Sequence, residues 1–204
     1  MRTFKLALAA ALWIAASAPL KAEGPAIGSK APDFSLVDTN GKTHALSDYK
    51  GRTVVLEWTN FGCPFVVKHY GSKNMQSLQK KYTEKGIVWL SICSSAKGKE
   101  GNLSPADWNK ELAKVMAAPT ALLIDESGKV GKSYAAKTTP HMYIINAEGN
   151  LVYKGAIDDK PTTKASDIKS SKNYVSAALD ELAAGKPVSV SATQAYGCSV
   201  KYAK

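Results

Sequence analysis

Residues 53–65 read TVVLEWTNFGCPF, and this stretch decides the fold class of the chain. The run from 53 to Trp58 is almost entirely apolar, which is typical of a strand buried on both faces of a sheet. Cys63 follows after a short turn, and Pro64 suits the first position of a helix because it has no N–H to donate. The stretch therefore predicts a central strand that leads into a helix, with a cysteine at the junction.

The segments around this junction alternate between strand and helix patterns. Apolar residues after Pro64 recur at steps of three to five, which predicts one helix that ends at Gly86. Further strands are predicted at 86–93 and 120–125, and hairpins at 33–49 and 141–157. Further helices are predicted from Ser104-Pro105 to about Met116 and over 172–186, and a brief helix is predicted before Pro140. Buried strands joined by helices predict an α/β fold, a central mixed sheet flanked by helices on both faces, with an N-terminal β-hairpin.

The first 22 residues differ in character from the rest. A basic start, MRTFK, precedes the apolar run LALAAALWIAASA, and a small residue, Ala22, precedes a plausible cut. This layout predicts a signal peptide over 1–22 and a periplasmic or secreted protein, although a retained N-terminal anchor is the alternative. Residues 23–204 are long enough for one domain with a sizeable core, followed by a polar tail over 186–204. They contain no 18-residue apolar run, so we expect no membrane span after signal removal.

The charge of the chain excludes little by itself. Its 27 basic and 17 acidic side chains give a net charge of +10. Loss of residues 1–22 leaves 24 basic side chains and a net charge of about +7. No basic run is interleaved with aromatic residues, so nucleic-acid binding is not expected. A lysine-rich solvated surface explains the charge, and a basic patch for an acidic partner protein stays open.

All three cysteines, Cys63, Cys93 and Cys198, lie after residue 22. In an oxidising compartment an odd number leaves at least one unpaired, which favours a working thiol over a purely structural framework. Cys63 is the strongest candidate, because the N–H groups of residues 65–67 and the helix dipole would stabilise a thiolate there. The alternative is a buried structural cysteine.

Two other kinds of site fit the residues less well. A Cys-x-x-Cys pair needs a second cysteine at position 66, where the chain has Val66. A copper site would combine Cys63 with His69 or His141, but the paired-thiol spacing is missing. We therefore expect no resident metal and no cofactor, and His69 is expected to be a surface or packing side chain.

Three stretches together resemble a known family: TVVLEWTNFGCPF at 53–65, GIVWLSICSS at 86–95 and TTPHMYIINAEGNLVYKGAIDD at 138–159. They are similar to the thioredoxin-fold redoxins, and most to the peroxiredoxin-like branch that contains alkyl hydroperoxide reductase and thiol-specific antioxidant. The resemblance covers about residues 27–185. It implies a thioredoxin-like fold and a thiol-dependent oxidoreductase that reduces peroxide or exchanges protein disulfides, with electrons from an external dithiol.

The resemblance also implies roles for single residues. Cys63 corresponds to the attacking cysteine, and Pro140, after Thr139, corresponds to a proline in a cis peptide that faces it. The side chains expected to support this site are Trp58, Asn60, Pro64 and Thr139.

Several positions depart from the peroxiredoxin pattern. That pattern has a threonine or serine three residues before the cysteine and a proline four residues earlier, where this chain has Asn60 and Leu56. It also has a downstream arginine, whereas no arginine follows Cys63. Arg52 precedes the central strand and is expected at the opposite end from Cys63. Positive charge could instead come from Lys132 or Lys137, without the planar fork of donors. The residues fit disulfide exchange and a modest peroxidase equally well.

The remaining cysteines are candidate partners of Cys63. Cys198 lies in the tail, where it is either a resolving thiol or a staple that pins the C-terminus. Cys93 ends a predicted strand and is either a buried apolar thiol or a second partner. Tyr196 and Tyr202 are expected to pack the tail onto the body. A redox-inactive binding domain and a copper-handling protein are the alternatives to an exported thiol oxidoreductase.

Overall fold

The computed structural model describes residues 24–204 of the chain. The strands are β1 (Ser35–Asp38), β2 (Thr43–Ala45), β3 (Val54–Trp58), β4 (Val88–Cys93), β5 (Ala121–Ile124), β6 (Thr138–Thr139), β7 (His141–Ile145), β8 (Leu151–Gly155) and β9 (Cys198–Ser199). The α-helices are α1 (Pro64–Gly71), α2 (Asn74–Thr83), α3 (Pro105–Lys114), α4 (Lys129–Ser133) and α5 (Tyr174–Ala183), and short 3₁₀ helices cover Leu46–Tyr49 and Ala165–Ser170.

Seven strands form one mixed sheet in the order β2-β1-β5-β4-β3-β7-β8. The central strands β3, β4 and β5 are parallel, and the two hairpins add antiparallel strands at both edges. The N-terminal hairpin joins the sheet because β1 pairs with β5. The expected mixed sheet is therefore present, with the strand that precedes Cys63 next to its centre.

The alternating side chains of β3 divide the core into two layers. Val54, Leu56 and Trp58 pack on one face with α4 residues, whereas Val55 packs on the other face against α1, α2 and α5. Every residue of β3 and β4 is buried, which agrees with the near-continuous apolar runs in the sequence.

The helix predicted from Pro64 to Gly86 is interrupted. Helix α1 ends at Gly71, and Lys73 takes a left-handed conformation with φ of 61° before α2 begins. The break lies between apolar positions of both helices, and Tyr70 and Met75 are both buried. The apolar periodicity of the sequence therefore continues across an interruption between two helices that it did not predict.

The C-terminal tail is docked along the body. It runs beside β8, where Thr193 N donates to Lys154 O (3.1 Å), and it then pairs as β9 with β6 in a separate two-stranded sheet. Tyr202 OH donates to Ala136 O at 2.8 Å. The expectation that tail tyrosines pack on the body is confirmed.

None of the helices between residues 24 and 204 is long and apolar enough to cross a bilayer. The predicted signal peptide lies outside the described residues.

Candidate active site

Cys63 lies in the turn that connects β3 to α1. Its N–H donates to Asn60 O at 2.9 Å, which closes the turn. The residue is the N-cap of α1, with extended backbone (φ −80°, ψ 123°), and Pro64 occupies the first helical position, as the sequence predicts. The side chain of Cys63 is fully buried. A reagent in solution therefore reaches the sulfur only after a neighbouring segment shifts.

The sulfur contacts the segment that precedes β7. The Cys63 thiol donates to Thr139 O at 3.0 Å, and the Thr139–Pro140 peptide bond is cis. Of the helix amides expected to stabilise the sulfur, Val66 N contributes to lowering the pKa of Cys63. Val66 N and Val67 N also both donate to the backbone oxygen of Cys63 at 2.9 Å, because an N-cap carbonyl is itself an acceptor for the first helical turn.

Cys198 brings a second sulfur to the same place. In the β6–β9 pair, Cys198 lies opposite Thr139, whose carbonyl accepts from Cys63. Gly197 precedes it with φ of 139°, and a Cβ added there would lie 2.1 Å from Thr139 O. Only a glycine allows the tail to approach the backbone this closely. All three cysteines are free thiols.

The two neighbouring thiols have opposite pKa shifts. Burial raises the pKa of Cys63, but hydrogen bonds from the Cys198 thiol, the Thr139 side chain and backbone amides outweigh it, so the pKa is lowered. Burial, the hydrogen bond to Cys63 and the charge of Cys63 raise the pKa of Cys198 to about 11. Cys63 is therefore the sulfur that ionises first, with Cys198 as its hydrogen-bond donor.

The hydroxyl of Thr139 is poised near this sulfur. It is buried and has no hydrogen-bond partner of good geometry while Cys63 is a thiol. It nevertheless contributes to lowering the pKa of Cys63. A thiolate at Cys63 would supply the acceptor that this hydroxyl lacks.

Asn60 and Trp58 make hydrogen bonds that hold the turn before Cys63 and the end of β3. Asn60 Oδ1 accepts from Gly62 N at 3.0 Å, and its amide donates to Glu100 O at 3.3 Å. Asn60 thus shapes the loop, and both of these hydrogen bonds go to backbone groups rather than to the sulfur. Trp58 is buried, and its indole N–H donates to Ser94 Oγ at 3.0 Å.

Cys93 belongs to a different part of the structure. It packs with Trp108 and Leu122, and its thiol donates to Gly101 O at 3.3 Å. Burial raises its pKa. These contacts are those of a buried apolar thiol.

The histidines proposed as copper ligands do not join Cys63. His69 is buried among Asn74, Tyr196 and Asp158, so it is a packing rather than a surface side chain. His141 packs on Tyr143. Within residues 24–204 no three His, Cys, Asp or Glu side chains are grouped to hold a metal ion.

Arg52 lies at the far end of β3, where its guanidinium donates to Gly86 O, and this agrees with its predicted position. Lys132 lies over the ring of Tyr202, 5.7 Å from its centre. The backbone N–H of Lys137 donates to Nδ1 of His141 at 3.3 Å. No contact brings either lysine to Cys63 in the described part of the chain.

A buried polar cluster was not found from the sequence. It consists of Lys68, His69, Asp158 and Tyr196, and it joins α1 to the tail. Lys68 and Asp158 are far apart in the sequence, so only the folded chain reveals their contact. The position of Tyr196, two residues before Cys198, was the one available signal.

Comparison with known proteins gives a consistent assignment. The model of the AhpC/TSA family matches residues 27–154. The thiol-disulfide oxidoreductase ResA of Bacillus thuringiensis subsp. konkukian is 28% identical over 132 residues, which cover 65% of this chain and 70% of that protein.

Two solved structures extend the likeness. An uncharacterized conserved protein from Geobacillus kaustophilus is 30% identical with a TM-score of 0.73, over 89% of this chain and 94% of that one. The thioredoxin domain of a thiol-disulfide oxidoreductase from Bacteroides vulgatus, 22% identical, has a TM-score of 0.52 over 71% of this chain and 96% of that one, a likeness of fold alone.

These findings confirm the predicted thioredoxin-like α/β fold and the predicted class, a thiol-dependent oxidoreductase. The family match spans more than half of the sequence, and the protein belongs to the AhpC/TSA family.

Proposed function

We propose that the protein exchanges disulfides with other proteins, with Cys63 as the attacking thiol and Cys198 as the resolving thiol. The observation that carries this proposal is the place of Cys198 beside Cys63: Cys198 lies opposite Thr139, whose carbonyl accepts from the Cys63 thiol, and it packs against the cluster that contains Cys63. The lowered pKa of Cys63 and the pKa of about 11 at Cys198 agree with these roles. A thiol with a lowered pKa attacks, and a nearby second thiol completes the exchange.

The reaction proceeds in two balanced steps. The Cys63 thiolate attacks one sulfur of a substrate disulfide, so that a mixed disulfide forms and the other substrate sulfur leaves as a thiolate. Cys198 then loses its proton and attacks Cys63, which forms the Cys63–Cys198 disulfide and releases the second substrate thiolate. The substrate gains two electrons, and an external dithiol returns two electrons to the protein.

The tail has to move during this cycle. Cys63 is fully buried, and β9 covers the backbone of Thr139 beside it. A protein disulfide therefore reaches Cys63 when the tail shifts, and the tail then returns Cys198 to the mixed disulfide.

The site is less suited to peroxide reduction. The first step would give Cys63 sulfenic acid and an alcohol or water, and Cys198 would then form the disulfide and release water. Within residues 24–204 the single arginine lies at the opposite end of β3, and Asn60 is engaged by Gly62 N and Glu100 O. The arginine charge of the peroxidase pattern is thus missing from the surroundings of Cys63 in the described residues, and so is the hydroxyl three residues before it, where the chain has Asn60.

Mass spectrometry of the fully reduced protein tests the proposal. One equivalent of a disulfide-bonded peptide is expected to yield a Cys63–Cys198 disulfide, and Cys198→Ser is expected to accumulate the mixed disulfide at Cys63. Cys63→Ser abolishes both products, whereas Cys93→Ser, the matched control, behaves as wild type. A parallel reaction with hydrogen peroxide is expected to be much slower.

Two results would contradict the proposal. One is an unmodified Cys63 thiol after reaction with both oxidants, as expected of a redox-inactive binding domain or a copper-handling protein. Alternatively, faster oxidation by peroxide than by the peptide would make the protein a peroxidase.

We further propose that the protein works outside the cytoplasm. The layout of residues 1–22 and the neighbouring thiols of Cys63 and Cys198, which suit an oxidising compartment, support this location. The intact mass of the protein purified from a Gram-negative host is expected to correspond to a chain that starts near Glu23. A mass that includes residues 1–22 would contradict export with cleavage.

A further inference from the structure

A buried polar cluster holds the tail against α1, two residues from Cys198. The Asp158 carboxylate accepts from the Tyr196 hydroxyl through Oδ1 and from Lys68 Nζ at 3.5 Å through Oδ2. The side chains of Lys68 and Asp158 are both 0% exposed. The buried side chains of Lys68 and Asp158, which carry opposite charges, thus both lie against Tyr196 of the tail.

The hydrogen bonds of the cluster form a chain of donors that leads from Asn74 through His69 and Tyr196 to Asp158. The amide of Asn74 donates to His69 Nδ1 at 2.9 Å, which assigns the proton of the neutral imidazole to Nε2. Nε2 lies 3.4 Å from Tyr196 OH and can donate to it, while Tyr196 OH donates to Asp158. Burial lowers the pKa of His69 to about 4, so this arrangement persists at neutral pH.

The ring of Tyr196 makes a second contact with the same helix. It packs on Phe65, with ring centroids 5.8 Å apart, and Lys68 Nζ lies 5.6 Å from its centre. Phe65 follows Cys63 by two residues, and Tyr196 precedes Cys198 by two. The ring contacts and the hydroxyl bond of Tyr196 therefore fix the position of the tail relative to the first turns of α1 at two points.

We propose that Tyr196 is a positioning residue for the disulfide-forming step, which it serves by holding Cys198 at the sulfur of Cys63. This inference rests on the proposed function. The Lys68–Asp158 pair supplies a fixed anchor, because buried charges without their partners are strongly disfavoured and the pair cannot drift apart. Tyr196 is the side chain by which the tail engages that anchor.

Tyr196→Phe tests this role with the full-length protein, because it removes the hydroxyl and keeps the ring on Phe65. We expect the effective concentration of Cys198 at Cys63, measured by equilibration in glutathione redox buffers, to fall about tenfold or more, since a hydrogen bond to a buried charge is lost. The pKa of Cys63 in the reduced variant is expected to rise, because the Cys198 thiol no longer donates reliably.

Tyr82→Phe is the matched control. Tyr82 is also a tyrosine packed in the body whose hydroxyl donates to a carboxylate, Asp180 Oδ1 at 3.0 Å, between α2 and α5 and away from the tail. This variant is expected to lower the unfolding temperature and leave both the redox equilibrium and the pKa of Cys63 unchanged. Phe65→Leu, which removes the ring contact, is expected to shift both quantities in the same direction as Tyr196→Phe.

Each outcome decides one point. A wild-type equilibrium and a wild-type pKa of Cys63 in Tyr196→Phe would overturn the positioning role, and so would equal losses in Tyr196→Phe and Tyr82→Phe. Absence of any Cys63–Cys198 disulfide in the wild type would overturn the proposed function and with it the disulfide-forming step. The pKa of Cys63 in reduced Tyr196→Phe would still show separately whether Tyr196 places the Cys198 thiol at Cys63.

Discussion

Burial and hydrogen bonding shift the pKa of the Cys63 thiol in opposite directions. Full burial disfavours the thiolate, and donors from β9 and from Thr139 favour it. The first helical turn contributes through Val66 N, after the larger contributions of the Cys198 and Thr139 side chains. The tail, rather than the helix terminus alone, makes Cys63 the more acidic thiol.

Removal of the Cys198 thiol is therefore expected to raise the pKa of Cys63. In Cys198→Ala the thiolate loses a donor while burial persists, so the fraction of thiolate at neutral pH falls. The pH dependence of alkylation at Cys63 by iodoacetamide measures the change, and its midpoint should move to higher pH. Cys93→Ala, which removes a thiol from a separate cluster, should leave the midpoint unchanged. An unshifted midpoint in Cys198→Ala would show that the helix dominates after all.

The pairing of β6 with β9 depends on a residue without a side chain at position 197. Gly197→Ala would place a Cβ 2.1 Å from Thr139 O, so β9 has to leave β6. We expect the oxidised variant to lose most of its Cys63–Cys198 disulfide, measured by mass spectrometry, while the far-ultraviolet circular dichroism stays that of the wild type.

Gly149→Ala is the control for this substitution. Gly149 also has a positive φ of 80°, but a Cβ there meets no atom within 4 Å. The control should keep the disulfide and lose only a little stability. A normal disulfide in Gly197→Ala would mean that Cys198 reaches Cys63 without the β6–β9 pair.

The break between α1 and α2 stores a small strain at Lys73. A side chain in the left-handed region costs about 1 kcal/mol, so Lys73→Gly is expected to stabilise the protein by up to about 1 kcal/mol in chemical denaturation. Lys80→Gly, at an exposed position inside α2, is expected to destabilise it by about 1 kcal/mol. Equal destabilisation by both substitutions would place Lys73 in an ordinary helical turn.

The sequence predicted the elements whose patterns are local, and it missed those that depend on distant partners. The apolar run at 53–58 and the Ser104-Pro105 start of α3 lie where they were predicted, because burial and capping act within a few residues. The two-residue strand β9 has no such pattern, and its place depends on Thr139 and Asp158. Cys63 was predicted from its position after a strand, whereas the buried pair of Lys68 and Asp158 had no local signal.

The two helices after Cys63 are tied to the sheet by one buried acid, Glu57. Its carboxylate accepts from Trp89 and Ser91 on β4, from Tyr70 on α1 and from Gln79 on α2. Burial raises the pKa of Glu57, and the four hydrogen bonds offset only part of that shift. The sheet and both helices therefore share a carboxyl group whose protonated form is favoured more strongly in the folded protein than in water.

The raised pKa of Glu57 predicts a signed dependence of stability on pH. A carboxyl group whose pKa is higher in the folded state stabilises the fold below its unfolded pKa of about 4.3, and this contribution is lost as the pH rises through the folded pKa. The difference in unfolding free energy between wild type and Glu57→Gln should accordingly shift in favour of the variant as the pH rises above about 4.3 and through the raised pKa of Glu57. Chemical denaturation across that range measures it, and a shift in favour of wild type would mean that the four donors lower the pKa.

The course of the tail beside β8 has a consequence for self-association. β8 is the last strand of the sheet, and tail residues pair with Lys154 on its open side, where Lys154 N donates to Ser191 O and Thr193 N donates to Lys154 O. An uncovered strand of this kind recruits a strand from another copy. Each tail opening large enough to peel residues 191–193 from β8 would briefly expose such an edge, so long-lived opening would favour oligomers joined through β8.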